Sequence, residues 1–337
     1  MLTGKHILRI AATALLAAPA PAFAQNAAPD TSAERIPAGV TERLITLGSG
    51  EWAVTGVLTL PAGDGPFPAA VLMHGSGPGT RDLDVGPNKV FREEAWGLAA
   101  HGVAVLRYDK RSTAHAARFR TLGREATHDE EFMEEGVSAV RLLQATRGVD
   151  PRRVYLVGHS QSTLLAPTIA RRTGAAGVVL IAPSARPAWV LIREQVEYSL
   201  TVAPNDTALA RRARVMLDGV AQMEDPATPP TALVLGRPVS YWRISPERNR
   251  EELRAMLAEG GRALVVHGGR DYLVTDTDFA IWQREFGNQP GIELRRYADL
   301  NHLMQPGVGR MTPAEYRERR LVSQQMIDEV ASWLRSD

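Results

Sequence analysis

At 337 residues, with 44% hydrophobic and 23% charged side chains, the chain has material for one large domain or two small ones and lacks the bias of a disordered or fibrous protein. Its 39 basic and 38 acidic residues nearly cancel, and the basic pairs Arg152-Arg153, Arg171-Arg172 and Arg295-Arg296 are scattered, which argues against a nucleic-acid-binding face. Cysteine is absent, so disulfides, thiolate metal sites and a cysteine nucleophile are excluded.

Met1 to Ala24 read as a cleaved signal peptide: Lys5, His6 and Arg9 precede an apolar stretch, Ile10 to Ala18, and Ala22-Phe23-Ala24 is a small-x-small cleavage site. The stretch falls short of the ~20 residues that span a bilayer and runs into Pro19 and Pro21, so no stable membrane anchor is expected after cleavage. Loss of Lys5 and Arg9 would leave 37 basic and 38 acidic residues in a periplasmic or secreted protein beginning at Gln25. Residues 25–39 read as a flexible lead-in and 40–337 as the folded domain.

Arg43 to Leu47 and Trp52 to Leu60 alternate apolar and polar residues, as antiparallel strands at a sheet edge do. Then come short, wholly apolar runs, Ala69 to Met73, Val103 to Leu106, Val154 to Val157, Val178 to Ile181 and Ala263 to Val266, the pattern of parallel strands covered on both faces. Helical spacing separates them at Glu94 to Ala100 and Phe132 to Leu143, so the fold class is α/β with a doubly wound, mostly parallel sheet. About eighty residues lie between Ile181 and Ala263, where a crossover needs little more than a dozen, so an insert of about 185–260 is expected. It reads as helices over Ala188 to Val202, Asp206 to Met223 and Pro246 to Ala258, the last capped by Ser245. A final helix is expected to start at Thr312-Pro313-Ala314-Glu315, a capping box, and to carry the stripe Met326, Ile327, Val330, Trp333 and Leu334.

The chemistry concentrates just past strand ends. Val154 to Val157 run straight into Gly158-His159-Ser160-Gln161-Ser162 and an apolar helix, the strand–turn–helix layout that exposes a nucleophilic serine. A serine hydroxyl needs a base to take its proton, and the resulting imidazolium needs a carboxylate. In this layout the order is serine, acid, histidine, and the chain offers Ser160, then Asp271 in His267-Gly268-Gly269-Arg270-Asp271, then His302 in Leu300-Asn301-His302. Asp276, Asp278 and Asp299 compete for the acid role; His74, His101, His159 and His267 all precede the acid and so fit the base role less well. Ligand crevices of open α/β sheets lie beyond the carboxyl ends of the strands, where these residues would converge. Met73-His74-Gly75-Ser76-Gly77-Pro78-Gly79 follows another buried strand and would supply an oxyanion donor from the Ser76 N–H, with Gly77 as its alternative, to join that of Gln161. Neither a phosphate-loop G-K-[ST] nor H-E-x-x-H is present, so no metal or cofactor is expected.

With these residues in place, the chain resembles the α/β-hydrolase superfamily, in particular its esterase, dienelactone-hydrolase-like and serine-aminopeptidase-like branch. The resemblance is carried by His74 to Asp82, Leu106 to Arg111, Gly158 to Ser162, Gly268 to Thr275 and Leu300 to Gln305. It implies an α/β-hydrolase fold with a helical cap, formed by the insert, and triad roles for Ser160, Asp271 and His302. Ser162 departs from the family's usual glycine, and Ser112-Thr113 from its glycine-rich continuation. In the cap, Tyr241 and Trp242 follow a loop-like Gly236-Arg237-Pro238 and are candidate substrate contacts. The expected activity is hydrolysis of a small-molecule carboxylic ester. The alternatives are an exported aminopeptidase or amidase, with Glu194, Glu197 or Glu224 gripping the substrate amine, a cofactor-free haloperoxidase, and a non-catalytic binding protein.

Overall fold

The computed structural model describes residues 35–336, so the expected signal peptide and the first part of the lead-in lie outside the described residues. Eight strands form one sheet: β1 (Thr41–Leu47), β2 (Val54–Leu60), β3 (Phe67–Met73), β4 (Ala104–Tyr108), β5 (Val149–His159), β6 (Gly177–Ile181), β7 (Arg262–Gly268) and β8 (Ile292–Tyr297). Their order is β1-β2-β4-β3-β5-β6-β7-β8. Only β2 runs against its neighbours, β1 and β4; the other pairings are parallel. The antiparallel edge is where the sequence alternates, and the parallel centre is where it is continuously apolar.

Helices cover both faces: α1 (Val90–Ala100), α2 (Glu134–Gln144), α3 (Ala166–Thr173), α4 (Ala188–Val202), α5 (Thr207–Glu224), α6 (Pro246–Ala258), α7 (Asp276–Phe286) and α8 (Gln324–Arg335). Successive strand residues point to opposite faces, which divides the core in two. Val71, Leu156, Leu180 and Val265 pack with α2, α3, α6 and α7, whereas Leu72, Val157, Val179 and Val266 pack with α1 and α8. The insert holds α4 and α5, a two-stranded ribbon (Leu233–Val234 with Arg237–Pro238), the turn Val239–Trp242 and α6. Met223, Val234 and Val239 make a small core of their own, while α6 joins the sheet core through Leu253, Met256 and Leu257. Its expected start holds: Ser245 Oγ accepts from the Arg248 N–H, with Pro246 in the first turn.

The final helix begins later than its capping box suggested. The box is formed, by Thr312 and Glu315, but it caps only the 3₁₀ turn Pro313–Arg317, which extended backbone at Glu318 ends. Helix α8 starts at Gln324 with Ser323 as its cap, because apolar helical spacing begins only at Met326. Ahead of α2, the expected helical start at Phe132 is a π-helical turn, Asp129–Met133. Such a turn shifts the side chains that follow it and is frequent at functional sites.

Candidate active site

Register brings four strand ends to one edge. Met73 pairs with Gly158, Ile181 with both His159 and Val266, and Gly268 with Tyr297. The loops that leave β3, β5, β7 and β8 therefore start side by side, and they carry Ser76, Ser160, Asp271 and His302 in that order.

Ser160 holds a left-handed backbone conformation, φ 55°, at the tip of the β5 turn. A residue other than glycine occupies this region only when its surroundings enforce it. Here the Thr163 hydroxyl donates to the Ser160 carbonyl across 2.6 Å, closing the turn from below. Ser162, the departure from the family pattern, is fully buried. Its hydroxyl accepts from the His159 N–H at 3.0 Å and donates to the Met73 carbonyl at 2.9 Å. The serine thus ties the turn to the end of β3, a bond that glycine cannot make.

His302 Nδ1 donates to Asp271 Oδ2 across 2.6 Å, and both side chains are buried. The other carboxylate oxygen accepts from the N–H groups of Leu273 and Val274 at 2.7 and 3.1 Å. Asp271 is therefore fixed in rotation, and it fixes the histidine in turn. Two of the competing acids are engaged elsewhere, Asp276 with Arg296 and His267 and Asp278 with Arg186, and the third, Asp299, is exposed. Gly268 lets the two loops meet, since a Cβ there would lie 2.6 Å from the carbonyl oxygens of Leu300 and Asn301. Asn301 holds the His302 loop by accepting from the N–H groups of Leu303 and Gln305.

His302 reaches the Ser160 turn through its backbone: its carbonyl accepts from His159 Nε2 at 2.9 Å, and the two rings lie 4.8 Å apart. Burial pulls His159 down to about 3, with His302 adding to the effect, so it is neutral and serves as this donor. His74 is likewise pulled down to about 3 by burial and donates from Nε2 to the Thr80 carbonyl.

The loop after β3 lies directly against the turn: a Cβ on Gly75 would sit 3.0 Å from that of Ser160. The Ser76 N–H finds no acceptor among the described residues, whereas its neighbours are well tied. Gly79 accepts from the Lys110 N–H and donates to the Thr113 hydroxyl, and Arg81 pairs with Asp109 at 2.7 Å. Both serine and threonine of the unusual Ser112-Thr113 are used, because Ser112 Oγ donates to Glu131 at 2.6 Å.

Glu131, on the π-helical turn, was not legible as a site residue, nor were Lys110 and His128. Its side chain, 1% exposed, accepts from Ser112, Lys110, Arg237 and the Tyr241 hydroxyl. Burial alone would raise this carboxyl, but Lys110 and Arg237 bring it down to about 2, so it stays ionised. Tyr241 is buried; its hydroxyl lies 2.8 Å from Glu131 and 3.2 Å from Gln161 Oε1. Trp242 donates instead to the Val234 carbonyl inside the cap. His128, pulled down to about 4 by burial and by the cations Lys110 and Arg237, stacks on Tyr241 and accepts from the Gln161 amide at 3.1 Å. A groove of about 580 Å³ opens beyond His128, between α3, α6 and the π-helical turn.

A family model described as "Alpha/beta hydrolase family" matches residues 70–311, most of the chain. The chain belongs to the α/β-hydrolase family. Among relatives of this family, Esterase EstD of Thermotoga maritima is 38% identical over 279 residues, 83% of this chain and 65% of that protein. The chain thus spans less than two thirds of that α/β-hydrolase's length. Among solved structures, an esterase of Pyrococcus furiosus aligns with a TM-score of 0.55 at 13% identity, covering 93% of this chain and 95% of that one. Est1E of Butyrivibrio proteoclasticus gives 0.52 at 16% identity, covering 86% and 95%. At such identities the likeness is one of fold.

Proposed function

We propose that this chain is a serine hydrolase that cleaves carboxylic esters through an acyl-enzyme on Ser160. The 2.6 Å contact between His302 and Asp271, with the His302 carbonyl bonded to His159 just ahead of a serine held at φ 55°, supports the reading. With Nδ1 committed to Asp271, Nε2 is the nitrogen free to take the Ser160 proton as Oγ attacks the ester carbonyl. The N–H groups of Ser76 and Gln161 receive the oxyanion, each such donor contributing about 3 to 4 kcal/mol to the transition state. His302 returns the proton to the departing alcohol, and water repeats the sequence to release the acid.

The identity to an esterase over most of the chain supports ester cleavage in particular. The amine-gripping carboxylates that an aminopeptidase would need are less available: Glu194 pairs with Arg186 and Glu224 with Arg193, while Glu197 is exposed. A panel of aryl esters against aminoacyl anilides tests the substrate class, and a fluorophosphonate probe tests the nucleophile. Labelling is expected at Ser160, and Ser160→Ala should lower turnover about 10⁶-fold. Asp271→Asn should lower it about 10⁴-fold by presenting the wrong histidine tautomer. Undiminished ester turnover in folded Ser160→Ala would defeat the proposal.

A further inference from the structure

Lys110 follows β4 at the same sheet edge as the other loops, and its side chain is 1% exposed. Burying an ammonium is unfavourable unless its partners are well placed. Glu131 is one partner, 3.2 Å away, and the ring of Phe132 lies 4.0 Å beneath the ammonium. A core ion pair would be served by the carboxylate alone. Lys110 instead directs Nζ–H bonds of 3.0 Å to two main-chain carbonyls, those of Gly75 and Gly77, on either side of Ser76.

The Gly75–Ser76 peptide is trans, as the cis bond of the described chain lies at Gly65-Pro66. In a planar trans peptide the C=O and the next N–H point in opposite directions. A cation gripping the Gly75 carbonyl therefore aims the Ser76 N–H away from Lys110. The same cation draws electron density toward the oxygen end of the peptide and makes the N–H a stronger donor, as chained hydrogen bonds polarise one another.

Resting on the ester-hydrolase reading above, we propose that Lys110 is a positioning residue of the oxyanion hole: through the Gly75 carbonyl it orients and polarises the Ser76 N–H, and through the Gly77 carbonyl it holds the loop in place, with Glu131 as its counter-charge. Lys110 acts through the main chain of the loop and not on the reacting atoms. Its effect belongs to the transition state, where negative charge gathers on the oxyanion, and not to ground-state binding.

The test uses Lys110→Met/Glu131→Gln, which removes both buried charges together, and Lys110→Arg, which keeps a charge opposite Glu131 but carries its donors on a planar fork unsuited to both carbonyls. With p-nitrophenyl butyrate, kcat is expected to fall about 10²-fold in the double variant, the scale of losing an oxyanion donor. KM should change little, and Lys110→Arg should show a smaller fall of the same kind. Affinity for a trifluoromethyl ketone, which forms an oxyanion adduct on the serine, should fall in parallel with kcat, while inhibition by the product alcohol should not change. A merely structural role would lower the melting temperature without that split. Wild-type kcat in either folded variant, or equal losses for ketone and alcohol, overturns the proposal. Because wild-type ester turnover is measured alongside, failure of the ester reading itself shows separately as a wild type without activity.

Discussion

The hydroxyl of Ser162 bridges two segments far apart in the chain, accepting from the N–H of His159 and donating to the carbonyl of Met73. Two strand ends are locked by one small side chain, and the loop that leaves Met73 is the one whose Gly75 abuts Ser160. The departure from glycine at this position is a fastening and not a defect in the turn.

Ser162→Ala removes that fastening without adding volume. It leaves a buried N–H and a buried carbonyl short of a partner, a loss of roughly 1 to 3 kcal/mol. Urea unfolding is expected to show the midpoint falling with an unchanged slope. Turnover should drop only modestly, since Thr163 still closes the turn on the Ser160 carbonyl. A variant as stable as the wild type would show that the bridge contributes nothing net.

How much of this was legible depends on how far each signal reaches along the chain. The central strands are legible because burial on both faces leaves a local mark, four or five apolar residues in a row. Ser160 and Asp271 stand out as candidates because each closely follows such a run, and His302 because it completes the order of one known layout. The capping box at Thr312 misplaced the start of α8 because capping is satisfied within four residues, whereas continuing a helix requires an apolar stripe that begins only at Met326. Lys110 lies in the Leu106 to Arg111 stretch that carries the resemblance, yet neither it nor Glu131 reads as a site residue in the sequence. Their meeting depends on a π-helical turn and on a contact between residues twenty-one positions apart, and a lysine after a strand otherwise reads as a solvated charge.

Glu94 gives a pH-dependent prediction away from the site. Its carboxyl is buried on α1 beside Val157, Ile181, Met326, Ile327 and Val330, with one oxygen lacking any partner. Burial, with a smaller contribution from the Glu93 charge, pushes it up to about 8. The folded protein thus holds a proton that the unfolded chain releases above its ordinary value, 4.5. For this group, stability is full below that value, declines as pH rises and levels off above about 8. Glu94→Gln removes the titration, so its stability relative to wild type should improve by on the order of 1 kcal/mol per pH unit between those limits. Chemical denaturation of both proteins at pH 5, 6, 7 and 8, in buffers of matched ionic strength, checks this. A constant difference across the series would mean that the carboxyl is ionised throughout.

Tyr241 and Trp242 are neighbours whose polar atoms have different destinations, and the difference separates their effects. The Tyr241 hydroxyl meets Glu131 and Gln161, so it links the cap to the residue after Ser160. Glu131 is the nearer and charged acceptor, and it takes the single proton. Tyr241→Phe strips one of four donors from an ionised, buried carboxylate, a charged hydrogen bond typically worth about 1.5 to 3 kcal/mol. It also frees the Gln161 side chain to shift, so kcat is expected to fall about tenfold, equivalent to 1.4 kcal/mol. Trp242 spends its N–H on Val234 and packs both among the cap's own apolar residues and against the main core. Trp242→Phe should therefore lower the melting temperature while leaving kcat and the ranking of ester substrates as they are. Steady-state kinetics across an acyl-chain series, paired with thermal unfolding, distinguishes the two, and a changed substrate ranking in Trp242→Phe would instead place the indole against the bound ester.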